Sequence, residues 1–220
     1  MTYTEFKYRF SPFPIVLSNG FANGDARGQS PAQAVRNQLS RWQKRGLIVR
    51  LKNGMYLLNE HDRKINPSRV FLANQMCVPS YVSLEYALAY YGLIPERVVE
   101  VTSVTTKKTL EITNPTGRYS YRHLKPSAFT GFRLAGDENG MQVFLAEPEK
   151  AVVDFLYFTV ARTVKTEHPS PAMFAESHRF QNVEMLSGNR ILELAPLYDN
   201  AKLSALAKLF CRFRKEQART

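Results

Sequence analysis

A chain of 220 residues has room for one large domain or two modest ones, each with its own core. With 44% hydrophobic and 22% charged residues it is not expected to be disordered. It holds no run of about 18 apolar residues, and its opening MTYTEFKYRF lacks the apolar stretch of a signal peptide, so a cytoplasmic protein that does not enter a membrane is expected. Thirty Lys and Arg against nineteen Asp and Glu, a net charge of +11, point to a polyanionic partner, either nucleic acid or an anionic surface.

The excess charge is N-terminal. Residues 1–60 carry Lys7, Arg9, Arg27, Arg36, Arg41, Lys44, Arg45, Arg50 and Lys52 against Glu5, Asp25 and Glu60 alone. In FSPFPIVL, Ser11 offers a cap and Pro12 a first helical position, and Pro14 with Gly20, Gly24 and Gly28 keeps that helix short. The three glycines are not followed by Lys-Ser or Lys-Thr, so they read as a loop and not a phosphate cradle. SPAQAVRNQLSRWQKRG then predicts a helix, with Ser30 as N-cap, Pro31 at the first position and Gly46 as the stop. Ala32, Val35, Leu39 and Trp42 form its apolar stripe. Gln33, Asn37, Ser40, Arg41 and Lys44 lie opposite, with Arg36 on the flank and no carboxylate among them.

LIVRLKNGMYLL follows directly, two β-rich runs joined by Asn53-Gly54, a pair suited to a two-residue hairpin turn. Pairing Lys52 with Met55 puts Val49, Leu51, Tyr56 and Leu58 on an apolar face and Arg50 and Lys52 on a basic one. A basic helix followed by a basic hairpin has the sequence form of a winged helix-turn-helix, whose helix suits the major groove and whose wing reaches the backbone. The expected DNA-binding residues are Gln33, Arg36, Asn37, Ser40, Arg41, Lys44, Arg45, Arg50, Lys52 and Asn53. Arg41 and Asn37 suit guanine and adenine edges, and Arg50 and Lys52 suit phosphates. The competing reading is an ordinary amphipathic helix with a solvated charged face.

Further along, RVFLANQMCV, between Pro67 and Pro79, predicts a helix that connects two domains. SYVSLEYALAYYGLI predicts a second, with Tyr81, Leu84, Ala87, Leu88 and Tyr91 on one face and Gly92 and Pro95 ending it. From Val98 to Leu145, short β-rich runs broken by Asn114-Pro115, Gly117, Gly131, Gly136 and Gly140 predict a small, mostly antiparallel sheet. Lys107, Lys108, Arg118, Arg122, His123 and Lys125 decorate it as a solvated face or an auxiliary basic surface. EPEKAVVDFLYFTVA starts a helix at Pro148, with Lys150 and Asp154 as an exposed i, i+4 pair. The stretch ILELAPLYDNAKLSALAKLFCRFRKEQ predicts one more amphipathic helix with a basic end.

Nothing in the sequence demands catalysis. His61, His123, His168 and His178 are scattered, Cys77 and Cys211 read as free buried thiols, and no HExxH or GxSxG motif occurs. No cofactor or metal is expected. The alternative is a metal-dependent nuclease using Asp137, Glu147, Glu149 and Lys150, but a Glu-x-Lys triplet would need Glu at position 148, which is Pro148.

Three segments together resemble a known family. QLSRWQKRGLIVRLKNGMYLL (38–58), YVSLEYALAYYGLIPERVVEVTSVTTKKT (81–109), and YSYRHLKP (119–126) with LAEPEKAVVDFLYF (145–158) are similar, in order, to the AbiEi-type antitoxins of bacterial type IV toxin-antitoxin systems and their transcriptional-regulator relatives. The resemblance implies an N-terminal winged helix-turn-helix that represses its own promoter. It also implies a C-terminal domain that helps neutralise a nucleotidyltransferase-like toxin, by a route that need not involve contact. By position, the reading helix is Gln33 through Arg45 and the wing Arg50 through Asn53. The glycine-rich stretch 18–30 departs from the family's pattern, and the likeness fades past about residue 165. The expected fold is therefore α+β: a DNA-binding domain at 1–60, a connecting segment at 61–80 and a mixed domain at 81–220. A solitary regulator or adaptor without a toxin is the other reading.

Overall fold

In a computed structural model, residues 1–18, 32–161 and 170–219 are described. The expected cap Ser30-Pro31, Arg27, the loop glycines Gly20, Gly24 and Gly28, and His168 lie outside them.

Thr2 and Glu5 open the first helix, α1 (Tyr3–Phe10), with a capping box. The Thr2 hydroxyl accepts from Glu5 N–H (3.3 Å) while the Glu5 carboxylate accepts from Thr2 N–H (2.8 Å). The helix therefore precedes Ser11 instead of starting there. Ser11 is its C-cap, buried, with its N–H on the Lys7 carbonyl. Next come β1 (Val16–Leu17), α2 (Ala32–Lys44), β2 (Ile48–Lys52) and β3 (Met55–Leu58), the strands forming an antiparallel sheet of order β1-β3-β2. Val35, Leu39 and Trp42 bury against Phe6, Val16, Ile48 and Leu58, with the Trp42 ring in contact with both Tyr3 and Phe6. A Schellman motif ends α2: Gly46, at φ +69°, gives its N–H to Gln43 O and Leu47 gives its N–H to Trp42 O, both at 3.0 Å.

The hairpin corrects one expectation. Lys52 does pair with Met55, but a bulge at Leu51 shifts the register so that Arg50 pairs with Tyr56 and Ile48 with Leu58. One extra residue moves the side chains before it to the opposite face. Ile48, Arg50, Tyr56 and Leu58 share one side, whose inner end packs on α1 and α2. Val49, Leu51, Met55 and Leu57 share the other, which joins a second and larger core. Both faces are apolar at their inner ends.

That larger core belongs to a mixed α+β unit. Ser68 caps α3 (Arg69–Met76), and this segment, read as a connection, buries Leu72, Ala73 and Met76. The sheet has order β6-β7-β5-β4-β9-β8, made from β4 (Ser80–Val82), β5 (Val101–Thr105), β6 (Leu110–Asn114), β7 (Gly117–His123), β8 (Phe132–Gly136) and β9 (Gln142–Ala146). Three of its ladders are antiparallel, while β4–β9 and β5–β7 are parallel. Tyr81 thus lies on a strand, paired with Val104, and the helix α4 (Leu84–Tyr90) starts only after Ser83. Strand pairing overrides the three-residue spacing that placed Tyr81 on the helix face.

After the sheet come α5 (Pro148–Phe155), a π-helical turn (Leu156–Val160), α6 (Met173–Glu176), α7 (Gly188–Leu194) and α8 (Ala201–Gln217). The single C-terminal helix expected is two. A short turn with Pro196 near its start, the left-handed Asp199 (φ +46°) and the cap Asn200 separate them. The Lys150–Asp154 pair is not exposed: both side chains are fully buried, 3.0 Å apart. Among the described residues no helix is long and apolar enough to cross a membrane.

Glu85, in the first turn of α4, supplies a pH test. Burial raises its carboxyl above the ordinary glutamate range and Glu100 adds to this, against the pull of a backbone hydrogen bond and Arg122. A raised folded-state pKa means that ionisation opposes folding, so the group's contribution is complete below about 4.3 and is lost as pH rises through the folded value. Glu85→Gln is expected to raise the melting temperature at neutral pH, with the gain vanishing in acid. An unchanged or lower melting temperature at neutral pH would contradict this account.

Candidate nucleic-acid interface

The two faces of α2 divide cleanly. Val35, Leu39 and Trp42 turn inward at 6, 1 and 5% exposure, which leaves Asn37, Ser40, Arg41 and Lys44 as an exposed stripe at spacings of three and four residues. Arg36 flanks it and Arg45 extends it past the helix end, both exposed. Gln33 belongs to α2, but its side chain lies outside the description. Two carboxylates of this unit, Glu5 and Asp62, are engaged elsewhere, whereas Glu60 is exposed beyond β3. Glu5 caps α1, and Asp62 pairs with Lys7 (2.5 Å) and accepts from the Tyr3 hydroxyl (2.7 Å). Lys7 and Tyr3 together hold Asp62 below the usual carboxylate range.

At the hairpin tip Arg50 and Asn53 are exposed and joined by a hydrogen bond from guanidinium to amide oxygen. Lys52 departs from its expected role. Its ammonium group donates to the Met76 carbonyl at the end of α3 (2.6 Å) and the side chain is half-buried. A cation satisfying a helix's last carbonyls complements the helix dipole, and Lys52 is therefore a strut between hairpin and α3, not a free phosphate contact. Asn114, read from the sequence only as part of a break between strands, reinforces the junction by donating to the Leu51 carbonyl (3.0 Å).

The second basic group is only partly a surface. Lys107, Lys108, Arg118, Arg122 and His123 are exposed on or beside β7, and Arg118 and Arg122 share one face of that strand. The exposed Glu111 pairs with Ser120 between them, so this face is not free of acid. Lys125, expected with the group, is ion-paired to Asp199.

The carboxylates of the nuclease reading are engaged separately. Asp137 accepts from Asn139 N–H (2.9 Å), Met141 N–H (2.7 Å) and the Ser68 hydroxyl, Glu147 pairs with Arg190 (3.0 Å), and Glu149 accepts from Ser187 N–H (2.7 Å). Among the described residues no group of three or more His, Cys, Asp or Glu could hold a metal ion. Cys77 and Cys211 are free and buried. No protein-family model matches the sequence, and no curated protein does.

Proposed function

We propose that the chain is a double-stranded DNA-binding regulator that reads base edges with the outer face of α2 and contacts the backbone with the β2–β3 tip, in the manner of a winged helix-turn-helix. The observation that carries this reading is the exposed, carboxylate-free stripe Asn37, Ser40, Arg41 and Lys44 on a helix anchored by Val35, Leu39 and Trp42. The order helix, strand, helix, hairpin supports it, as does the N-terminal excess of basic residues. Lys44, Arg45 and Arg50 take the phosphate contacts in place of Lys52. The resemblance to AbiEi-type antitoxins supports autoregulation of its own promoter in the cytoplasm, with a nucleotidyltransferase-like toxin as functional partner.

The chain is expected to bind duplex from its own promoter more tightly than random duplex at about 150 mM salt. Arg41→Ala and Asn37→Ala should each lower that ratio, a good bidentate base contact being worth about 1–3 kcal/mol. Equal affinity of the parent protein for both duplexes sinks sequence-specific regulation. A ratio untouched by both substitutions moves base reading away from α2.

A further inference from the structure

Between the first turn of α3, α4 and the β8–β9 hairpin lies a cavity of about 160 Å³ whose lining includes Arg69, Tyr86, Tyr90, Ala135, Glu138 and Val143. That is the room one aromatic ring needs, since an engineered apolar cavity of about 150 Å³ takes up benzene. Val143 is buried, Tyr86 half-buried, and Tyr90 stands exposed.

The polar groups around the cavity are unequally engaged. Asp137 is occupied by two backbone N–H groups and the Ser68 hydroxyl. Arg69 lies 5.7 Å over the Tyr119 ring and reaches the Arg118 carbonyl only at 3.5 Å, and its Nε is sealed from solvent without an acceptor. Gly117 makes this placement possible, because a Cβ there would sit 2.4 Å from the guanidinium. The sealed Nε is packed against Gly117, but Arg69 also lines the cavity, and among the described residues its guanidinium makes no ion pair, so its charge is available to a ligand oxygen there. Glu138, exposed, offers an acceptor.

We propose that this cavity is a binding site for a small, neutral, single-ring aromatic carboxamide. The ring packs between the tyrosines over Val143, the carbonyl oxygen accepts from Arg69, and the amide N–H₂ donates to Glu138. A carboxylate in the same place would face Glu138 and Asp137 as like charges. The site is separate from the DNA-facing helix and stands whether or not the chain binds DNA.

Benzamide is the probe, with toluene and benzoate as comparators, titrated into the full chain without DNA and followed by ligand-observed NMR. Saturable benzamide binding is expected at about 1 mM, the affinity scale of a fragment of this size. Arg69→Met should weaken it about tenfold, the loss of one hydrogen bond to a charged group, to the level of toluene. Ala135→Leu, which fills the cavity, should abolish it. Tyr90→Ala alters an exposed residue and so tests the site in a folded protein, where it should weaken binding clearly. Absence of saturable benzamide binding overturns the proposal, as does binding that Tyr90→Ala and Ala135→Leu leave unchanged. Benzoate binding more tightly than benzamide overturns the ligand class.

Discussion

Asp154→Ala is expected to destabilise the chain by about 3–5 kcal/mol, the scale on which removing one partner of a buried ion pair costs stability. Asp154 is fully buried and accepts from Lys150 Nζ (3.0 Å), the Tyr81 hydroxyl (3.0 Å), the Ser83 hydroxyl (2.7 Å) and the Tyr198 hydroxyl. Lys150 also donates to the Ala128 carbonyl (2.9 Å) and contacts the Tyr198 hydroxyl. Burial pulls Lys150 below the ordinary lysine range although Asp154 acts to raise it. Without the carboxylate, a desolvated amine and three hydroxyls lose their common acceptor. Replacing both partners, as in Lys150→Met with Asp154→Leu, still leaves the three hydroxyls without that acceptor but removes the uncompensated buried cation, and is expected to cost less than Asp154→Ala alone. Urea denaturation of the parent and both variants measures this. A cost below about 1 kcal/mol for Asp154→Ala, within the range of an exposed pair, contradicts the account, as does a double variant worse than the single one.

The other large effect is expected in the salt dependence of DNA binding, on the reading proposed above. Lys44, Arg45 and Arg50 are exposed, and each phosphate contact contributes about 0.9 to the slope of log affinity against log salt. The triple alanine variant should therefore have a slope shallower by about 3, so that between 50 and 200 mM salt it loses affinity about fortyfold less than the parent. Lys52→Ala should behave differently. Its amine is bound to the Met76 carbonyl, so the change should lower stability and leave the slope almost intact. A parental slope in the triple variant, or a flattened one in Lys52→Ala, assigns the phosphate contacts to the wrong side chains.

These outcomes mark what the residues reveal by themselves. The inner stripe of α2 is legible because Val35, Leu39 and Trp42 repeat at the helical period, and the hairpin turn because Asn53-Gly54 suits its backbone angles. The Leu51 bulge leaves no mark in the pattern, so the faces of the hairpin could not be assigned by alternation. α1 was legible and missed: Thr2 and Glu5 spell its capping box. Lys150 and Asp154 have the spacing of a solvated pair, and i, i+4 spacing is the same on a wet or a buried face. Their burial comes from Tyr81, Ser83, Ala128 and Tyr198, which local sequence does not bring near. The cavity is equally non-local, since α3, α4 and the β8–β9 hairpin each contribute a wall.

The β2–β3 hairpin also limits how the chain can be divided. Ile48 and Leu58 belong to the N-terminal core while Leu51, Met55 and Leu57 belong to the larger one, so a fragment ending at residue 60 would expose three large apolar side chains to water. Burial of that size is worth about 1.5–3 kcal/mol per side chain, a substantial part of a small domain's stability. The N-terminal unit is therefore not a portable module. Heating should melt both cores in one transition, and the isolated fragment should self-associate.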